Sequence, residues 1–314
     1  AEIIAGYEYF ADPETVQTFE TQKLDTRKSE TMNSTSPPNQ LPEDLTETVR
    51  RALTEDLGSG DITAALIPAH KHAEGRIVSK DNGYICGIPW AQEAFRQLND
   101  AVCLDWHVQE GDPVEPSQKL CDLRGPARAL MSGERTALNF LQTLSATATQ
   151  TANFTKLIQH TATTLLDTRK TLPGLRTAQK YAVTVGGGRN HRMGLFDAYL
   201  IKENHIVSCG GIAASIAKAR AVSPGKTVQI EVQNLDEMEA ALAAHADIVM
   251  LDNFSTDQLR QAVAQNKNRA KLEASGGIED GQLVRIAETG VDYISVGALT
   301  KHCRALDLSL LIDF

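Results

Sequence analysis

Four cations fall within a short stretch of this sequence. Arg169 and Lys170 lie in Asp167-Thr168-Arg169-Lys170, Arg192 follows His191, and Lys202 opens Lys202-Glu203-Asn204-His205. Guanidinium forks grip carboxylates through two parallel hydrogen bonds, and lysine adds a mobile point charge. Such a cluster in an acidic chain points to a small polyanionic ligand. Arg135, in Ser132-Gly133-Glu134-Arg135-Thr136, is a further candidate cation. Glu231 and Asp252 supply two carboxylates that could hold ribose hydroxyls, bind Mg²⁺ together with substrate phosphates, or stabilise a developing cation. Ser275-Gly276-Gly277 and Gly297-Ala298 form glycine loops of the kind whose backbone N–H groups approach a phosphate closely.

Apart from Arg135 and His191-Arg192, each of these groups follows a short apolar run. The runs are 164–166, 198–201, 228–230, 248–251, 271–274 and 293–296, and the last four recur at a regular spacing with helical stretches between them. Strands alternating with helices predict right-handed crossovers and a parallel sheet. Continuous apolar runs predict strands covered on both faces. In a parallel barrel the carboxyl ends of all strands converge on one face, where ligands bind. The tetrapeptide Asp-Thr-Arg-Lys recurs at Asp25–Lys28, where it follows no strand. Position, not the tetrapeptide, therefore carries the signal. Gly186-Gly187-Gly188 reads as a flexible loop that brings Arg189 to Arg192 to the barrel mouth.

Upstream, Leu45, Val49, Leu53 and Leu57 mark one helical face, stopped by Gly58-Ser59-Gly60. Short β-rich pieces then alternate with turns as far as Leu123, interrupted by a helix over 89–97, and a long helical region runs from about 129 to 160. The fold expectation is an N-terminal α/β sandwich (α+β) domain over 41–148, followed by an incomplete parallel α/β barrel of about six strands over 149–301. Residues 302–314 are free to return to the first domain. Residues 1–40 are too polar to offset their ordering entropy and read as a disordered arm, with Met32 a candidate translation start.

Composition narrows the function. The net charge of −9 repels phosphate at long range, so a nucleic-acid partner is not expected. No apolar run is long enough to span a bilayer, so no membrane partner is expected either. Five scattered cysteines without a C-x-x-C argue against a thiolate metal site and fit a reducing cytoplasm.

The order of motifs resembles the quinolinate phosphoribosyltransferase family. The matching segments are Glu55-Asp56-Leu57-Gly58 with Gly60-Asp61-Ile62-Thr63, 133–139, 166–176, Asn190-His191-Arg192 and 201–205. They continue through Glu231-Val232, Leu251-Asp252-Asn253, Ser275-Gly276-Gly277 and 295–300. The resemblance implies conversion of quinolinate and phosphoribosyl pyrophosphate into nicotinate mononucleotide, pyrophosphate and CO₂, with Mg²⁺ as cofactor. It implies a homodimer, or a higher oligomer, whose sites are shared between subunits. Arg169, His191, Arg192 and Lys202 would line the quinolinate pocket, and Arg135 would reach into the partner's site. Lys170, Glu231 and Asp252 would contact phosphoribosyl pyrophosphate. Ser275, Gly276, Gly277, Gly297 and Ala298 would hold its 5′-phosphate. Magnesium would ride mainly on the pyrophosphate, with Glu231 and Asp252 as candidate protein ligands, and Lys202, Glu231 and Asp252 would act in catalysis. Two rival readings are a barrel lyase with Lys202 as a Schiff base and a non-catalytic relative serving as a transport accessory.

Overall fold

The structure, a computed structural model, describes residues 40–278 and 280–313. The arm expected over 1–40 lies, but for its last residue, outside the described residues.

The first domain opens with α1 (Leu45–Leu57), whose buried residues Leu45, Val49 and Leu53 follow the apolar period read from the sequence. Strand β1 (His72–Ser79) alternates exposed and buried positions, as a strand with one covered face must. After the two-residue β2 (Gly83–Tyr84) come α2 (Ile88–Leu98), β3 (Cys103–Trp106), β4 (Pro113–Val114) and β5 (Lys119–Pro126). The antiparallel main sheet is completed by the C-terminal strand β12 (Leu308–Asp313), in the order β12-β1-β5-β3. The two-residue β4, which reads as part of a turn in the sequence, pairs with β2 instead.

Helix α3 (Ala127–Ile158) connects the two halves. At 1.5 Å per residue its 32 residues reach about 48 Å. Its first half contributes Leu130, Leu138, Leu141 and Leu144 to the first core, and its last turns contribute Phe154 and Ile158 to the second.

The second half contains β6 (Thr164–Leu166), β7 (Tyr199–Ile201), β8 (Val228–Val232), β9 (Ile248–Asp252), β10 (Lys271–Ser275) and β11 (Tyr293–Ser295). Every pairing among them is parallel, in the order β6-β11-β10-β9-β8-β7. β6 and β7 therefore form the two edges of an unclosed barrel. Helices α4 (Arg176–Val185), α5 (Glu203–Cys209), α6 (Ile212–Val222), α7 (Leu235–Ala243), α8 (Thr256–Asn266) and α9 (Asp280–Ala287) fill the connections, and α10 (Ala298–Lys301) follows β11. Side-chain caps set two of the helix starts. Asn234 accepts from the Glu237 N–H, and Ser255 with Gln258 forms a reciprocal capping box.

One ion pair in the first domain makes stability pH-dependent. Glu93 on α2 accepts from Arg96 Nε at 2.6 Å, Arg96 Nη2 at 2.7 Å and Gln97 Nε2 at 2.8 Å. The Arg96 guanidinium, more than any other group, holds the Glu93 carboxyl down to about 2. A depressed carboxyl stabilises the fold above its unfolded value, and that contribution fades as pH falls through the folded value. Because the Arg96 side chain is 61% exposed, the effect is about 1 kcal/mol or less. Glu93→Gln should therefore lower the denaturation midpoint slightly at neutral pH. The gap to wild type should narrow as pH drops toward about 2, and a gap independent of pH in denaturant titrations would rule this origin out.

Candidate active site

The carboxyl ends of the six barrel strands open into a cavity of about 820 Å³. Twelve of the thirteen residues singled out in the sequence line it, and Arg135 alone does not. β6 delivers Arg169 and Lys170, β7 delivers Lys202, and β8 and β9 deliver Glu231 and Asp252. β10 runs into Ser275-Gly276-Gly277, and β11 into Gly297-Ala298. The register sets Ser275 directly opposite Asp252. Gly276 has φ +106°, a region side chains avoid, and a Cβ there would run into the Asn253 amide. Asn253 ties this corner together: its N–H donates to Ser275 O at 2.9 Å and its amide to Asp252 Oδ2 at 2.9 Å.

His191 and Arg192 arrive by a different route. Asp167, at the end of β6, is fully buried and accepts from Lys180 Nζ at 2.5 Å, Asn190 Nδ2 at 2.7 Å and the His191 N–H at 2.8 Å. Lys180, buried on α4, also donates to His191 O at 3.1 Å. Arg189 donates its N–H to Leu165 O and accepts from the Asp167 N–H, pairing in parallel with the free edge of β6. The segment carrying His191 and Arg192 thus extends the open edge of the barrel. The preceding glycines do not form the flexible loop expected from the sequence. A Cβ on Gly186 would lie 2.5 Å from Ala148 O and 2.6 Å from Thr151 Cβ, so glycine here permits close packing of the chain against α3.

On the other side, Gln179 of α4 fixes the phosphate-type loops. It accepts from the Leu172 N–H at 2.7 Å and donates to Thr300 O at 2.9 Å, while the Thr300 hydroxyl donates to Lys170 O at 2.8 Å. Gln179 and Lys180 were not legible in the sequence, and Asp167 was legible only as part of the cation motif, not as framework. Nor did the sequence single out Gln150, Lys301 and His302, which also line the cavity. Lys301 and His302 follow directly on the Gly297-Ala298 loop, and that placement was the available signal.

The electrostatics favour an anion. Burial first, and then the Arg169 charge, pull the Arg192 guanidinium below the usual arginine range. Two guanidiniums crowd one another there, and Arg169 Nη1 is buried without a hydrogen-bond partner among the described residues. A carboxylate between them would relieve both costs. Across the cavity Lys202 Nζ is hydrogen-bonded to Glu231 Oε2. Burial, followed by the Glu231 charge, raises the Asp252 carboxyl above the ordinary aspartate range. The Lys202 side chain is 48% exposed and paired with a carboxylate, whereas a Schiff-base amine must be desolvated. The lyase reading of the sequence therefore fails on the environment of Lys202.

Arg135 lies outside the cavity for a geometric reason. Gln150 on the same helix lines the cavity, and fifteen residues of α3 separate the two, about 22 Å along the axis. No arginine side chain spans that. The Arg135 side chain is 58% exposed, with Glu134 beside it at 3.8 Å.

A parallel barrel with a cation-rich mouth, two carboxylates and two glycine loops defines a site for small anionic substrates that include phosphate. The quinolinate phosphoribosyl transferase C-terminal domain family matches residues 147–311, and the corresponding N-terminal domain family matches residues 61–145. The chain is 40% identical over 257 residues to the probable nicotinate-nucleotide pyrophosphorylase (carboxylating) of Bacillus subtilis, covering 82% of this chain and 89% of that one. It is 36% identical over 298 residues to the mitochondrial quinolinate phosphoribosyltransferase (decarboxylating) 2b of Nicotiana tabacum, covering 88% and 84%. The solved nicotinate-nucleotide pyrophosphorylase of Francisella tularensis superposes with a TM-score of 0.85 at 48% identity, covering 88% of this chain and 99% of that one. The chain belongs to the quinolinate phosphoribosyltransferase family.

Proposed function

We propose that the chain transfers the phosphoribosyl group of phosphoribosyl pyrophosphate to the ring nitrogen of quinolinate with loss of CO₂, a step in making pyridine nucleotides. The observation that carries this reading is the crowded Arg169–Arg192 pair with its unpartnered Nη1, set in the same cavity as the acidic pair and the glycine loops. Quinolinate carries two adjacent carboxylates and so suits two guanidiniums better than a monocarboxylate does.

Arg169, Arg192 and Lys202 hold the dicarboxylate with the ring nitrogen aimed at the ribose. Lys170 and the loops at Ser275–Gly277 and Gly297-Ala298 hold the phosphates. As the bond from ribose C1 to pyrophosphate breaks, positive charge grows on the sugar, and Glu231 and Asp252 stabilise it. The ring nitrogen forms the new bond to C1. The resulting pyridinium accepts the electron pair as the bond to the adjacent carboxylate breaks, and a proton taken up at that carbon completes nicotinate mononucleotide. No covalent nucleophile is required; positioning and charge carry the rate.

Magnesium favours one or two carboxylates plus substrate phosphates over an all-protein cage. Glu231 and Asp252 face one cavity, and no cluster of three or more His, Cys, Asp or Glu suited to a metal occurs among the described residues. This donor set fits a Mg²⁺ that arrives with the pyrophosphate and neutralises its charge.

The working unit is a homodimer in which Arg135 enters the partner's cavity. Ile62 is 86% exposed, and its segment is bound to α3 near Arg135 through Ser132–Asp61 and Arg128–Ile67 hydrogen bonds. Phe196 is 77% exposed, close behind Arg192. Large exposed apolar side chains beside both halves of a divided site favour burial against a second copy. No described helix is long and apolar enough to cross a membrane. All five cysteines are free, in keeping with a reducing compartment, the cytoplasm.

The test is an assay of purified protein with phosphoribosyl pyrophosphate, Mg²⁺ and either quinolinate or nicotinate. Nicotinate mononucleotide should form from quinolinate at a rate far above that from nicotinate. Comparable rates would remove the role of the second carboxylate. Binding without product from either would favour the non-catalytic reading.

A further inference from the structure

Beneath the guanidinium pair lies a buried polar chain that the mechanism above does not use. Glu273, in the middle of β10, is fully buried, and so is Gln229 on β8. Gln229 Nε2 donates to Glu273 Oε2 at 2.8 Å, and His191 Nε2 lies 3.4 Å from the same oxygen. The other ring nitrogen of His191, Nδ1, accepts the Arg192 N–H at 2.7 Å. Because Nδ1 is an acceptor, the ring proton of the neutral imidazole sits on Nε2, facing Glu273. Glu273 Oε1, Gln229 Oε1 and His191 Nε2 have no hydrogen-bond partner among the described residues. A carboxylate buried with one neutral hydrogen bond is costly, and the imidazole is the group positioned to improve it.

We propose that Glu273 is a positioning residue for the dicarboxylate pocket: it fixes the His191 ring with the proton on Nε2, so that Nδ1 remains free to hold the Arg192 backbone. This rests on the quinolinate reading and deepens it. Glu273 and Gln229 lie on interior strands of the sheet, whereas His191 and Arg192 belong to the segment added at its open edge. The chain of contacts therefore ties the added segment to the barrel interior.

Two variants and two readouts test this. Glutamine at 273 keeps an acceptor for His191 Nε2 and gains a donor for Gln229 Oε1, whereas leucine keeps the volume and removes both. Glu273→Leu should raise KM for quinolinate about tenfold, the effect of one lost buried hydrogen bond, while KM for phosphoribosyl pyrophosphate stays within about twofold. Glu273→Gln should remain within about threefold of wild type for both substrates, because the acceptor survives. Without any substrate, ¹⁵N spectra assigned by a His191→Gln comparison should show the Nε2–H tautomer in wild type and in Glu273→Gln, and a tautomer mixture in Glu273→Leu. Equal rises in both KM values, an unchanged KM for quinolinate in Glu273→Leu, or a Glu273→Gln as impaired as the leucine variant would overturn the proposal. Failure of wild type to use quinolinate would instead defeat the underlying functional reading, and the tautomer spectra would still report on Glu273.

Discussion

Arg135→Ala and Lys202→Ala, each nearly inactive alone, should recover about a quarter of wild-type activity when mixed and allowed to exchange subunits. Each variant removes one charge that bears on the bound substrate, and losing such a charge from a site closed by substrate and partner costs about 2–5 kcal/mol. In a mixed dimer both lesions fall in one composite site and the other site is intact. Random exchange makes half the dimers mixed, each with one good site of two. The expectation follows from the 22 Å or so of helix between Arg135 and the cavity-lining Gln150, which keeps Arg135 out of its own subunit's site. Exchange can be verified with differently tagged chains. If verified heterodimers stay inactive, Arg135 does not complete a partner's site.

Lys180→Met should be the most destabilising single change in the barrel, at about 3–5 kcal/mol, because it leaves Asp167 as a buried charge without its counterion. Burial, the largest influence on each, pushes the Asp167 carboxyl up and the Lys180 amine down, so each group depends on the other to stay charged. The double variant Asp167→Asn/Lys180→Met should regain more than half of the lost stability, since no uncompensated charge remains. Denaturant midpoints of the three proteins decide the matter. A double variant as unstable as the single one would show that packing of the lysine stem, not charge, is what the site requires.

That pair also explains what the sequence concealed. The six barrel strands were legible because strands covered on both faces are mostly apolar, and each ends abruptly in a charge or a glycine. The strand ends then located ten of the twelve cavity residues without any knowledge of side-chain geometry, and the glycine run before Arg189 pointed to His191 and Arg192. Helix α4 was not legible. Its buried positions include Gln179 and Lys180, so the face turned to the core looks like a surface, and its valines and threonines favour strand by propensity. Gln229 and Glu273 were hidden for the same reason, as polar residues satisfied by one another inside a barrel. The first domain was legible in its helices and longer strands. The return of 302–314 to the first domain was legible and β12 makes it, but its place beside β1 was not, because a one-dimensional pattern does not say which strand will receive it.

The placement of β12 has a consequence for how the chain comes to be folded. Glu74 near the start of β1 pairs with Asp313 in β12, so the first sheet is completed by a segment made only after the whole barrel. During synthesis the barrel residues must emerge, and β1 must wait with one flank of N–H and C=O groups unpaired, a template for pairing with other chains. The two cores are therefore not two separable modules in series. The barrel is an insertion within the sheet domain, and the sequence separation of that final pairing makes it a contact of high order, slow to form. Expression of the first domain without β12 would yield an open-edged sheet prone to association, whereas the edge is sealed once β12 has followed the barrel.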